Sequence, residues 1–119
     1  MTALRPTEFA AMLAALTRHR GVLGSLVADA AQGIVVDASL QHGVAGDAVA
    51  ALAASLYRKA RLSAGAAGLG AVSFLRLEGE LGNICVMGAG DLVLVTIAES
   101  RTNVGLLRAE MRRAAAALA

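Results

Sequence analysis

The chain has 119 residues, 57% of them hydrophobic and 17% charged, with a net charge of +2 and a mean hydropathy of +0.65. That length supports one core of ordinary size, so a single domain over 1–119 is expected, and the apolar content excludes a disordered chain. Eleven cations against nine anions, with only Phe9, Tyr57 and Phe74 as aromatics, argue against nucleic acid as a partner, which calls for basic residues interleaved with stacking rings.

The longest uncharged stretch, Leu62 to Leu75, has 14 residues and three glycines. A spanning helix needs about 20 apolar residues, so no transmembrane segment is expected. The apolar run Phe9 to Leu16 is preceded by Glu8 and spaced like a helix, unlike a signal peptide. A lone cysteine, Cys85, cannot close an internal disulfide, which suits a reducing cytoplasm. Twenty-eight alanines, and ten arginines beside the single Lys59, resemble a GC-rich bacterial coding bias.

In chain order, Thr7 is placed to cap a first helix whose Phe9, Met12, Leu13 and Leu16 fall at i, i+3, i+4 and i+7, ending near Gly21. Val22 to Ala28 and Ile34 to Asp37 read as a hairpin around Asp29 to Gly33. Asp47 stands at a cap before a second helix with Val49, Leu52, Ala53, Leu56 and Ala60 along its inward stripe. The opposite side then carries Ala51, Ala54, Ser55 and Arg58, small enough for another backbone to approach. Ala71 to Leu77, Glu80 to Met87 and Leu92 to Ala98 read as a three-strand meander, broken at Glu78-Gly79 and at Gly88 to Asp91. A last helix opens near Asn103, with Val104, Leu107, Met111, Ala114, Ala115 and Leu118 on one side and Arg108, Arg112 and Arg113 beside them.

The chemistry-bearing patterns are missing. A P-loop needs Gly-Lys followed by Ser or Thr, but Lys59 lies between Arg58 and Ala60, so the chain is not expected to bind GTP or ATP itself. Gly65, Gly68 and Gly70 follow a helix and open a strand, the reverse of a dinucleotide loop. No serine has a Gly-x-Ser-x-Gly frame, and His19, His42 and Cys85 are scattered over three elements, so no catalytic, metal or cofactor site is expected. The protein reads as an interaction module and not an enzyme. Its third strand, with Val72, Phe74 and Arg76 alternating, would be an open edge unless paired across a two-fold axis.

The element order, joined to Asn103-Val104-Gly105-Leu106-Leu107-Arg108, resembles the Roadblock family. Gly24 in the first strand, the Asp29 to Gly33 turn, and Gly90-Asp91 before Leu92 to Val95 add to the likeness. The resemblance implies an α+β, profilin-like three-layer fold: a five-stranded antiparallel sheet in helix-strand-strand-helix-strand-strand-strand-helix order, outer helices on one face and the middle helix on the other. It also implies a homodimer built through the middle helix and third strand, with Ala51, Ala54, Ser55, Arg58, Val72 and Phe74 at the interface and Asn103, Gly105 and Arg108 as motif positions. The implied partner is a small Ras-like GTPase, whose GTP hydrolysis some family members modulate; a structural dimerisation module of a larger assembly, with no GTPase partner, is the alternative.

Overall fold

The computed structural model describes residues 6–118, with side chains described from Phe9 onward. Its elements run α1 (Pro6–Thr17), β1 (Val22–Asp29), β2 (Val35–Leu40), α2 (Gly46–Ala66), β3 (Leu75–Gly79), β4 (Gly82–Ala89), β5 (Leu92–Ala98) and α3 (Val104–Leu118). The five strands form one antiparallel sheet in the order β2-β1-β5-β4-β3, which leaves β2 and β3 at the edges.

Alternation along the strands divides the core into two layers. On one face Val27, Cys85, Met87 and Leu94 meet Leu13 and Leu16 of α1 and Leu107, Met111 and Leu118 of α3. On the other face Leu26, Ala28, Val86, Val93 and Val95 lie under Ala50, Ala53 and Tyr57 of α2. The helical spacing in α1 and α3 therefore identifies their inward sides. The end of α1 is locked to the sheet by hydroxyls: Ser25 Oγ, fully buried, donates to the Leu13 carbonyl at 2.8 Å, and Thr17 Oγ1 donates to the Ser39 carbonyl at 3.1 Å.

Several boundaries differ from expectation. The first helix stops at Thr17, and Gly21, at φ +88°, turns the chain into β1. The Thr7 side chain lies outside the described residues. At α2, Ala45 holds the cap position without a side-chain bond, while Asp47 sits within the first turn and acts there only through its charge. The expected third strand, Ala71 to Leu77, begins instead at Leu75, because ladder pairing with β4 starts at Leu75 opposite Val86 and runs on to Gly79 opposite Gly82. Glu78-Gly79 is thus strand, and the hairpin turn lies at Glu80 and Leu81.

The largest difference lies in α2. Of the expected inward stripe, Ala53 is fully buried and Val49 packs against the core, but Leu52 is exposed and Leu56 only half-buried, and the buried side is Ala50, Ala53, Ala54 and Tyr57. The cause is close packing. A Cβ added to Gly33 in the β1–β2 turn would lie 3.0 Å from the Ala51 Cα and 3.2 Å from the Ala54 Cβ, so the helix rides too near the hairpin for a leucine to fit between them. Gly33 itself has φ +72°, a left-handed conformation that glycine adopts at no steric cost.

Candidate interaction surface

With Ala50, Ala53, Ala54 and Tyr57 turned inward, the leucines of α2 lie toward its outer side. Leu52 is 43% exposed and Leu62 76% exposed, and Ser55 and Leu56 are half-buried between them. Beside this helix lies the edge of β3. Leu77 pairs with Ile84, and Leu75 with Val86, on the α2 side of the sheet, and Leu77 is 42% exposed. The main footprint of α2 covers β1, β2, β4 and β5, so β3 extends beyond it. The result is an apolar surface next to a row of backbone groups with no strand partner among the described residues.

Two arginines border that surface. Arg58 donates from Nη1 to the Ala30 carbonyl at 2.8 Å, holding the helix to the β1–β2 hairpin, and the Arg61 guanidinium lies 5.6 Å from the centre of the Tyr57 ring. With Leu62 they line a shallow cleft of about 380 Å³.

The structure brings Ala51, Ser55 and Arg58 together on one side of α2, in line with Leu62. Ala54 is removed from that group: it is fully buried, facing Gly33 of the β1–β2 turn. Val72 and Phe74, expected on a third strand, lie in the connector before it and are partly buried in their own protomer. Val72 packs into the α2-side cluster and Phe74 into the α3-side cluster. Sequence reasoning missed Leu52, Leu62 and Leu77 as surface residues. The signal for Leu52 and Leu62 was the alanine row, which marks a close-packed inward side when a glycine turn lies opposite.

The three motif positions build the start of α3. Asn103 Oδ1 accepts from the Leu106 amide at 3.1 Å, a helix cap. Gly105 has an ordinary backbone, and a Cβ there would make only ordinary contact with the Asn103 side chain. The Arg108 guanidinium lies 4.8 Å from the centre of the Phe74 ring, joining α3 to the connector that leads into the β3 edge.

Among the described residues, no group of three His, Cys, Asp or Glu side chains is placed to hold a metal ion, and no helix is long and apolar enough to cross a membrane. Cys85 is buried in the middle of β4, and burial pushes its thiol above the ordinary range despite the lowering effects of a hydrogen bond with Thr96 and of the Arg76 charge.

Residues 8–98 match the Roadblock/LC7 domain family, a span ending with β5, so the Asn103 to Arg108 motif lies beyond it. Two uncharacterized proteins of Methanocaldococcus jannaschii are each 32% identical to the chain over 104 residues, covering 87% of it and 90% of their own length. MglB of Myxococcus xanthus superposes with a TM-score of 0.85 at 22% identity, covering 97% of this chain and 94% of that one. A Roadblock/LC7 domain from Streptomyces avermitilis gives 0.79 at 23% identity over 96% and 92% of the two chains.

Proposed function

The chain belongs to the Roadblock/LC7 domain family, and on that premise we propose that it is a non-catalytic homodimeric regulatory or scaffolding protein that binds a small Ras-like GTPase through a surface formed only by the pair. The observation that carries the reading is α2 itself, whose Ala50, Ala53 and Ala54 are buried beneath it and whose Leu52 and Leu62 are exposed, beside the unpaired edge of β3. An open apolar edge is an aggregation hazard, and pairing β3 with its copy across a two-fold axis removes it. A stable interface of this kind buries roughly 1,200 Å² or more in total. The leucines of α2 and β3 supply its apolar centre. The exposed Ala51 and the half-buried Ser55 are small enough to allow close approach at its margin, and Arg58 borders it.

Nucleotide-state recognition has a physical route. The terminal phosphate orders the switch segments of a Ras-like GTPase, and a rigid platform that fits only the ordered form gains differential binding energy. Where that platform also biases the switch segments, it modulates hydrolysis. The reading places the protein in the cytoplasm, where its single buried thiol stays reduced. The second reading, a dimerisation module of a larger assembly without a GTPase partner, draws on an MglB structure described as having a tetrameric arrangement.

Titrating the GTPase encoded nearest to this chain's gene, loaded with GDP or with a GTP analogue, separates the two readings. The first expects at least about a tenfold preference for one state, equivalent to roughly 1.4 kcal/mol. Equal affinity for both states, or none for either, favours the assembly module.

A further inference from the structure

We propose that Asp37 closes the β2 edge of the sheet to pairing with a second copy of this chain, leaving β3 as its open edge. The two edges differ in their backbone groups. The Gln41 amide donates to the Leu23 carbonyl at 2.9 Å, and the register continues with Gly24 opposite Leu40, Ser25 opposite Ser39, Leu26 opposite Ala38 and Val27 opposite Asp37. Bonded and non-bonded pairs alternate in an antiparallel ladder, so the amides and carbonyls of Ala38 and Leu40 point away from β1. The Ala38 amide, near the middle of the strand, is occupied: it donates to Asp37 Oδ1 at 2.8 Å. On β3, by contrast, no side chain among the described residues bonds the backbone, and Arg76 donates instead to the side chains of Asn83 and Glu78.

The neighbouring side chains show why the edge needs closing. Ile34 and Val36 are 60% and 50% exposed, Ala38 is exposed too, and Asp37 is the only ionisable residue from Ile34 to Leu40. An apolar, β-branched edge without charge is a template for another chain. Against it, an arriving strand has to take the Ala38 amide from the carboxylate. A two-fold pairing centred on Ala38 also sets the two Asp37 side chains on one face as diagonal neighbours of like charge, roughly 7–8 Å apart. The consequence lies in assembly: a sheet with one open edge pairs into a closed dimer, whereas a sheet with two adds copies without end.

The test uses the full chain carrying Leu52→Glu/Leu77→Lys, directed against association through the α2–β3 surface, so its outcome stands apart from that of the homodimer. Added to this background, Asp37→Val removes the acceptor and the charge and supplies a residue suited to strands, whereas Asp37→Asn keeps an acceptor oxygen in the same place. In sedimentation equilibrium at tens of micromolar, Asp37→Val should bring the mass toward twice that of the background, with amide exchange slowed at Leu40. Asp37→Ala, which removes the same groups without adding bulk, should act in the same direction. Asp37→Asn should associate about tenfold more weakly than Asp37→Val. Retained circular dichroism establishes that each variant is folded. A mass unchanged in both Asp37→Val and Asp37→Ala, or association that leaves Leu40 exchange as fast as before, overturns the proposal. Equal association by Asp37→Val and Asp37→Asn also overturns it, because the bond to the Ala38 amide would then not be the block.

Discussion

Burial holds the Cys85 thiol above its ordinary value of 9.0, and its effect on stability follows directly. Because the folded pKa is raised, the folded state keeps a proton that the unfolded chain loses at lower pH; this contribution is intact below about 9 and is lost as pH rises toward the folded value. Urea unfolding should show stability falling above about pH 9, and the fall should be smaller in Cys85→Ala. A thiol reagent at pH 8 should leave the native protein unlabelled and label it on unfolding. Equal pH dependence in the parent and Cys85→Ala would contradict this description. At the same scale, a Cβ on Gly88 would overlap the hydroxyl of buried Tyr57. Gly88→Ala should cost about 1–3 kcal/mol by denaturant unfolding, and less in a Tyr57→Leu background that vacates the space. An identical cost in both backgrounds would mean the ring does not set the limit.

At the level of elements, periodicity located all eight and placed the inward faces of α1 and α3, where leucine and methionine carry the signal. It placed Val49 and Ala53 of α2 correctly but put Leu52 inward and missed Ala50, Ala54 and Tyr57, because the rule that large apolar residues point inward fails when helix and hairpin approach within the reach of a methyl group. Nothing in the helix's own sequence reports the distance to Gly33. The β3 boundary was obscured for a related reason: Val72 and Phe74 alternate as strand residues do, yet they anchor opposite faces of the core from a connector without ladder bonds. Arg108 joins that connector to α3. Its removal in Arg108→Ala should cost roughly 0.5–1 kcal/mol and speed amide exchange at residues 72–75, with unchanged exchange arguing that the stacked pair does not hold the connector.

For the molecule as a whole, the layer arrangement followed from element order and family likeness, whereas the candidate interaction surface was only half legible. Ala51, Ser55 and Arg58 could be placed on one side of α2 from spacing, but Leu52, Leu62 and Leu77 become surface residues only once the sheet and the rise of the helix above it are known. The buried position of Ala54 also shows where to test association: a charge there would disrupt the protomer's own core, whereas Leu52 and Leu77 lie on the surface. Association of two copies is the claim on which the partner surface depends, and sedimentation equilibrium of the full chain at tens of micromolar tests it most directly. The parent should have a mass near 24 kDa, twice the 12.0 kDa of one chain, and Leu52→Glu/Leu77→Lys should shift it toward the single-chain value with its circular dichroism retained. A parent that sediments at 12.0 kDa throughout that range would contradict the homodimer.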